Sequence, residues 1–404
     1  MKTRTTLWML VWLLCSLSFQ DVMAQEIAIN YDENKIPAYE LPDPLLMNNG
    51  EKVKNARQWT HERRAEILEI FAQEMYGHIP ARPEGLHFKK MSEETVYQGL
   101  GIRRVVRVYL DKAEQHWFDI LIHLPKNVKH PVPMFAGLNF KGNDATLDER
   151  ASSRWPYEQI LKEGFGVATA WRDAIEPDGR DSKIEEAENV CKDGGVRAWY
   201  NKGGDWGAIA AWAWGLSCMY DYLATDSSVD ASKIAVIGHS RLGKAALWAG
   251  ANDTRFAMVV SNNSGCCGAA ISRRVIGENF ARINTSFPHW FTREFDKYMH
   301  KEVNFPADQH GLVALVAPRP LYIASATEDL WADPKGEWLA ALKVAPVYQL
   351  FNKKGVNETY PSPDTPDMGE SIAYHVRTGI HDITAYDWSQ FLLYAKKNFV
   401  LIKI

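Results

Sequence analysis

Ser240 stands at the apex of Gly238-His239-Ser240-Arg241-Leu242-Gly243, between an apolar run, Ile234 to Ile237, and an Ala- and Leu-rich stretch with helical composition. That order predicts a strand, a tight turn and a helix, which push the serine hydroxyl out above a sheet. Gly238 is expected where a side chain would clash, and Gly243 where the helix closes on the strand. The N–H of Arg241, next in the chain, is expected to face a developing oxyanion. A serine near neutral pH is a poor nucleophile, so the chemistry also needs a base and a carboxylate to orient it.

The turn resembles the nucleophile elbow of the α/β-hydrolases, whose chain order is serine, then Asp or Glu after a late strand, then histidine before the last helix. Of the twelve histidines, His289, His300, His310, His375 and His381 follow Ser240. His381 lies after Gly379 and just before the C-terminal helical stretch, so it is the expected base, with His375 as the alternative. The acid is expected after the run Leu321 to Ala324. Asp329 occupies the place for it, Glu328 and Asp333 are its neighbours, and Asp333 before Pro334 has the character of a helix N-cap.

Five continuous apolar runs, at residues 132–138, 165–171, 234–237, 256–260 and 321–324, predict parallel strands buried on both faces. Residues 105–108 and 117–124 alternate like antiparallel strands. Residues 206–223 are apolar all round and predict a buried crossover helix. Residues 59–76 and 385–399 show one-sided helical stripes. The expected architecture is one α/β-hydrolase domain over residues 25–404, a mostly parallel sheet flanked by helices, with an N-terminal arm over about 25–100.

Residues 1–24 carry Lys2 and Arg4, then a short apolar stretch, then Val22-Met23-Ala24, the pattern of a secretory signal rather than a membrane span. The remaining chain is expected to be exported, periplasmic or secreted, without membrane insertion. With 46 basic against 50 acidic residues and a net charge of −4, it lacks the basic stripe of a nucleic-acid binder. Cys191, Cys218, Cys266 and Cys267 are too few for a disulfide framework and are expected as packing thiols. Neither metal nor organic cofactor is expected.

Ser240-Arg241-Leu242-Gly243-Lys244, Asn263 to Gly268, residues 327–331 and Gly379-Ile380-His381 are similar to the glucuronoyl esterases, carbohydrate esterase family fifteen, over most of the chain from about residue 125. The resemblance implies hydrolysis of the ester between glucuronic acid branches of glucuronoxylan and lignin alcohols. It carries the serine–histidine pair to Ser240 and His381. It implies sugar contacts by Lys244, expected at the site mouth, by Glu278 and by Trp331, and a contribution of the Arg241 guanidinium to the oxyanion site; His289 and Trp290 are further candidates for the cleft lining.

Two departures stand out. Fungal members have a disulfide where this chain has His239 and Asp382, which points to the bacterial branch. Many members place a Glu after the strand beyond the elbow, where this chain has Asn263; the bacterial branch uses a later carboxylate, matching Asp329. Two other readings remain open: an esterase of the same fold on another carbohydrate ester, such as acetyl xylan, and a non-catalytic carbohydrate-binding relative.

Overall fold

The computed structural model describes residues 29–147, 154–179, 194–202 and 204–399; the expected signal and Cys191 lie outside these. Ten strands form one sheet: β1 (His87–Val96), β2 (Gly101–Tyr109), β3 (Trp117–Pro125), β4 (Val132–Asn139), β5 (Gly166–Trp171), β6 (Val229–His239), β7 (Met258–Asn262), β8 (Leu321–Ala326), β9 (Asp367–Met368) and β10 (Ile372–Arg377). Their order is β1-β2-β3-β5-β4-β6-β7-β8-β10-β9. β4 to β8 and β10 run parallel, whereas β1 to β3 and β9 pair antiparallel at the two ends. All five apolar runs are strands of the parallel part, and the architecture is that of an α/β-hydrolase.

Helices cover both faces, which is why those runs are apolar without alternation. Along β6, Ile234 and Val236 join the core under the crossover helix Ala208–Leu223 and the helix Arg241–Asn252. Ala235 and Ile237 join the opposite core, with Trp388 and Phe391 of the C-terminal helix Ala385–Asn398. The helix predicted at 59–76 begins at Ala56 and includes π-helical turns at Trp59–Arg63 and Ala72–Tyr76.

Three strands escape the sequence patterns, of which β9 is only two residues long. β1 is mostly solvent-exposed and polar. β10 is fully buried yet includes His375 and Arg377, so it reads as a loop. The N-terminal arm is tied to the body by backbone and charge contacts. Gly277 N–H donates to Asn30 O (2.8 Å), His310 Nε2 lies 2.8 Å from Pro42 O, and Arg274 pairs with Glu33.

The chain builds β5 on one side of β4 and β6 on the other, so the order reverses there. Crevices outside the carboxyl ends of such strands are where open α/β sheets bind ligands, and Ser240 directly follows β6.

Candidate active site

Ser240 has φ 58° and ψ −131°, a sparsely populated conformation for a residue with a side chain. The neighbours enforce it. A Cβ on Gly238 would sit 1.9 Å from Leu242 O, so the turn closes only over glycine. On Gly243 it would sit 3.0 Å from Ser264 Cβ, so the helix Arg241–Asn252 packs hard against the segment after β7. Ser240 N–H donates to Asn262 O at 2.9 Å, pinning the apex to the adjacent strand. Arg241 opens the helix, whose first N–H groups lack intrahelical acceptors and carry the positive end of the dipole.

His381 and Asp329 meet from two loops beyond the strands. His381 Nδ1 lies 2.6 Å from Asp329 Oδ2; the carboxylate is 3% exposed and the imidazole 39%. The alternatives are engaged elsewhere. Glu328 is exposed. Asp333 caps the helix Pro334–Lys343 by accepting from Gly336 N–H (2.9 Å) and pairs with Arg274 (2.8 Å). His375, the alternative base, lies inside β10, between Tyr322 (2.9 Å) and Asp387 (2.8 Å), and is fully buried.

Asn263 is not a bystander. Its Nδ2 donates to Asp329 Oδ2 at 2.7 Å, the same oxygen that faces His381. Residues after β7 and β10 thus converge on one oxygen of the residue that β8 delivers.

A cleft of about 410 Å³ opens over these groups, lined among others by Ser240, His381, Lys244, Glu278, Trp290 and Trp331. Lys244 is not at the mouth, where its place one turn after Ser240 would put it. It is 4% exposed, on the floor, with Nζ donating to Ser264 O at 2.5 Å and 5.9 Å from the Trp290 ring centre. Glu278 is in a loop before the short helix Phe280–Ser286, not on a helix surface. Its N–H donates to Trp331 O at 2.9 Å. Burial raises its carboxyl pKa, with Lys244 and Arg241 pulling the other way. Trp331 stands on the rim, 36% exposed.

Sequence reasoning missed Asp178, which has no recognisable motif around it. Its buried carboxylate accepts from Arg241 Nη1 (2.5 Å), Arg172 Nη2 (3.0 Å), His289 Nε2 (3.1 Å) and Trp290 Nε1 (2.6 Å). Burial would raise its pKa, but the His289 bond and the charges of Arg172 and Arg241 outweigh it and hold the group well below the usual carboxylate range. The hub fixes the Arg241 guanidinium over the rings of Phe287 (4.9 Å) and Trp290 (4.7 Å). Trp290 therefore lines the cleft, while His289 turns toward Asp178.

Where the disulfide of the resembling fungal proteins would lie, other contacts stand. His239 Nδ1 lies 2.7 Å from Asn262 Oδ1, its ring centre is 4.6 Å from that of His381, and Asp382 pairs with Arg154 at 2.7 Å. Cys218, Cys266 and Cys267 are buried free thiols, as packing thiols should be. Among the described residues no group of three His, Cys, Asp or Glu is arranged to hold a metal ion.

The family model described as "Glucuronyl esterase, fungi" matches residues 111–352. Carbohydrate esterase MZ0003, from an unknown prokaryotic organism, is 43% identical over 93% of each chain. The solved glucuronoyl esterase of Solibacter usitatus superposes with a TM-score of 0.84 at 42% identity, covering 91% of this chain and all of that one. A family fifteen glucuronoyl esterase from Teredinibacter turnerae gives 0.82 at 30% identity, covering 93% and 94%. With the elbow, the converging His381 and Asp329 and these likenesses together, the chain belongs to the glucuronoyl esterases, carbohydrate esterase family fifteen.

Proposed function

We propose that this protein is a serine esterase that cleaves esters of glucuronic acid, or of its 4-O-methyl form, through a glucuronoyl-enzyme. Ser240 Oγ attacks the uronoyl carbonyl and His381 takes its proton. Asp329 holds the Nδ1–H of His381 and stabilises the imidazolium. The Arg241 N–H receives the oxyanion, with its guanidinium adding positive charge nearby. His381 then protonates the departing alcohol, and water, activated by the same histidine, releases the acid. The observation that carries this reading is the 2.6 Å contact between His381 Nδ1 and Asp329 Oδ2 in the cleft that holds Ser240.

Lys244 and Glu278 supply a charged donor and an acceptor for sugar hydroxyls, and Trp331 a flat face for the ring. The natural substrate in this reading is a lignin–carbohydrate ester on glucuronoxylan. The leader at residues 1–24 would direct the protein out of the cytoplasm as one domain with an arm, and β1, in that arm, belongs to the same sheet as the rest. No helix of the described residues is long and apolar enough to cross a membrane.

The deciding experiment measures acid release from benzyl and methyl glucuronate beside an acetyl ester, with Ser240→Ala as control. Turnover of the acetyl ester alone would favour the acetyl xylan reading. Binding without any turnover would favour a carbohydrate-binding relative.

A further inference from the structure

The loop that carries His381 leaves β10 at Arg377 and enters the C-terminal helix at Ala385. Its tip is open to solvent, with Ile380 64% exposed. Ile383 packs into the core two residues beyond His381, which leaves the tip itself to polar contacts, and a displacement of about 1 Å can cost 10²-fold in rate. Glu328 N–H donates to Gly379 O at 2.9 Å, and one further group holds both sides of His381.

Arg377 is buried, 4% exposed, beneath this loop. Its Nη2 donates to Ile380 O (2.7 Å) and Asp382 O (2.8 Å), the two carbonyls that bracket His381. Its Nη1 donates to Thr378 O at 3.3 Å. Gly379, with φ 125°, lets the chain fold over the guanidinium, because a Cβ there would lie 2.8 Å from Nη1. The cation is itself anchored, with Nε donating to Asp387 Oδ2 at 2.9 Å.

Asp387 is fixed in turn by His375 (2.8 Å) and by the N–H and hydroxyl of Thr384 (both 2.7 Å); the N–H bond and the return bond from Asp387 N–H to Thr384 Oγ1 form a capping box on the C-terminal helix. Tyr322 of β8 closes the chain at 2.9 Å from His375 Nδ1. The planar fork of arginine can span two carbonyls and a carboxylate at once, which a lysine ammonium on its flexible stem cannot match.

We propose that Arg377, anchored through Asp387 and His375 to the sheet, is a positioning residue for His381, holding the carbonyls of the residues on both sides of the base. The proposal rests on the reading of His381 as the base. It gives the histidine inside β10 a purpose as part of the mount of the catalytic one.

The test is Arg377→Lys, assayed on benzyl glucuronate and on an aryl acetate, with thermal unfolding in parallel. The expected result is a kcat lower by about 10²-fold on both esters, with KM unchanged and the melting transition still cooperative. Should the lysine variant not fold, Arg377→Ala supplemented with millimolar guanidinium serves instead. Recovery of kcat is expected there, and none for His381→Ala under the same supplement. Wild-type kcat in Arg377→Lys, or a loss confined to KM, overturns the proposal, as does equal response of Arg377→Ala and His381→Ala to guanidinium. If the wild type hydrolyses only the acetate, the substrate reading fails while the kcat ratio on acetate still decides the role of Arg377.

Discussion

Asp329→Asn separates two jobs of the triad acid that are usually lost together. Placed about 4 Å from an imidazolium in surroundings of effective dielectric about 20, a carboxylate is worth about 4 kcal/mol of attraction, about three decades of rate. In other triads the same change costs about 10⁴ in kcat by the wrong histidine tautomer. Here Asn263 Nδ2 donates at 2.7 Å to the very oxygen that faces His381. While Asn263 keeps its NH₂ toward that position, turning the new amide so that its own NH₂ points there would set two donors against each other, so its oxygen stays and the correct tautomer survives. The expected kcat on benzyl glucuronate is therefore lower by about 10³ for Asp329→Asn. For Asn263→Ala/Asp329→Asn, in which the amide is released to flip, the expected loss is about 10⁴. Asn263→Ala alone loses one charge-assisted hydrogen bond, about 1.5–3 kcal/mol, and should cost at most about 10²-fold. Asn263→Glu in the Asp329→Asn background should recover part of the loss. Thermal unfolding must accompany each variant, since a buried carboxylate also holds structure. A defect below tenfold in Asp329→Asn, or a double variant no worse than the single one, would refute the reasoning.

Ser240→Ala and His381→Ala should each abolish measurable ester hydrolysis while leaving the unfolding transition intact, whereas His375→Ala should lower stability, read by the same thermal scan. Lys244→Ala should slow glucuronate esters more than an aryl acetate by about 1.5–3 kcal/mol in kcat/KM; equal losses would make its bond to Ser264 O purely structural. Glu337, buried beneath the segment after β7, accepts from Gly265 N–H (2.9 Å) and faces Ser264 (3.1 Å) and Ser325 (2.6 Å). Burial raises its pKa from 4.5 to about 8, so the folded state holds a proton that the unfolded chain releases. Its stabilising contribution is complete below pH 4.5 and is lost as pH climbs through about 8. Glu337→Gln should therefore flatten the fall of melting temperature across that window; an unchanged slope would show that Glu337 is already ionised.

Much of the site was legible because its parts are local. A serine between an apolar run and a helical run, with glycines on both sides, permits one geometry, and the chain order of the fold then singled out His381 and Asp329. What was not legible depends on convergence. Asp178 gathers Arg172, Arg241, His289 and Trp290 from separate segments, and no spacing announces that. β10 hid because His375 and Arg377 interrupt its apolar character, and their partner Asp387 lies across a loop. Lys244 was placed at the mouth from helical spacing alone, yet its turn of helix packs on the Ser264–Gly265 segment, so its stem is buried. Asn263 read as a lost acid, whereas the structure shows its amide donating to Asp329, the proposed acid.

That pairing bears on how such enzymes change over time. The end of β7 sets Asn263 against the carboxylate that β8 delivers to His381, so a carboxylate at position 263 would stand beside the one at 329. A chain with carboxylates at both would keep one proton between them, since like charges that close resist joint ionisation, and would still present one anion to the histidine. A lineage can therefore gain the second carboxylate before surrendering the first, and pass between the two arrangements without an ancestor that lacked an acid. An amide at position 263 suits the far end of such a passage, because it offers a donor to the carboxylate at 329.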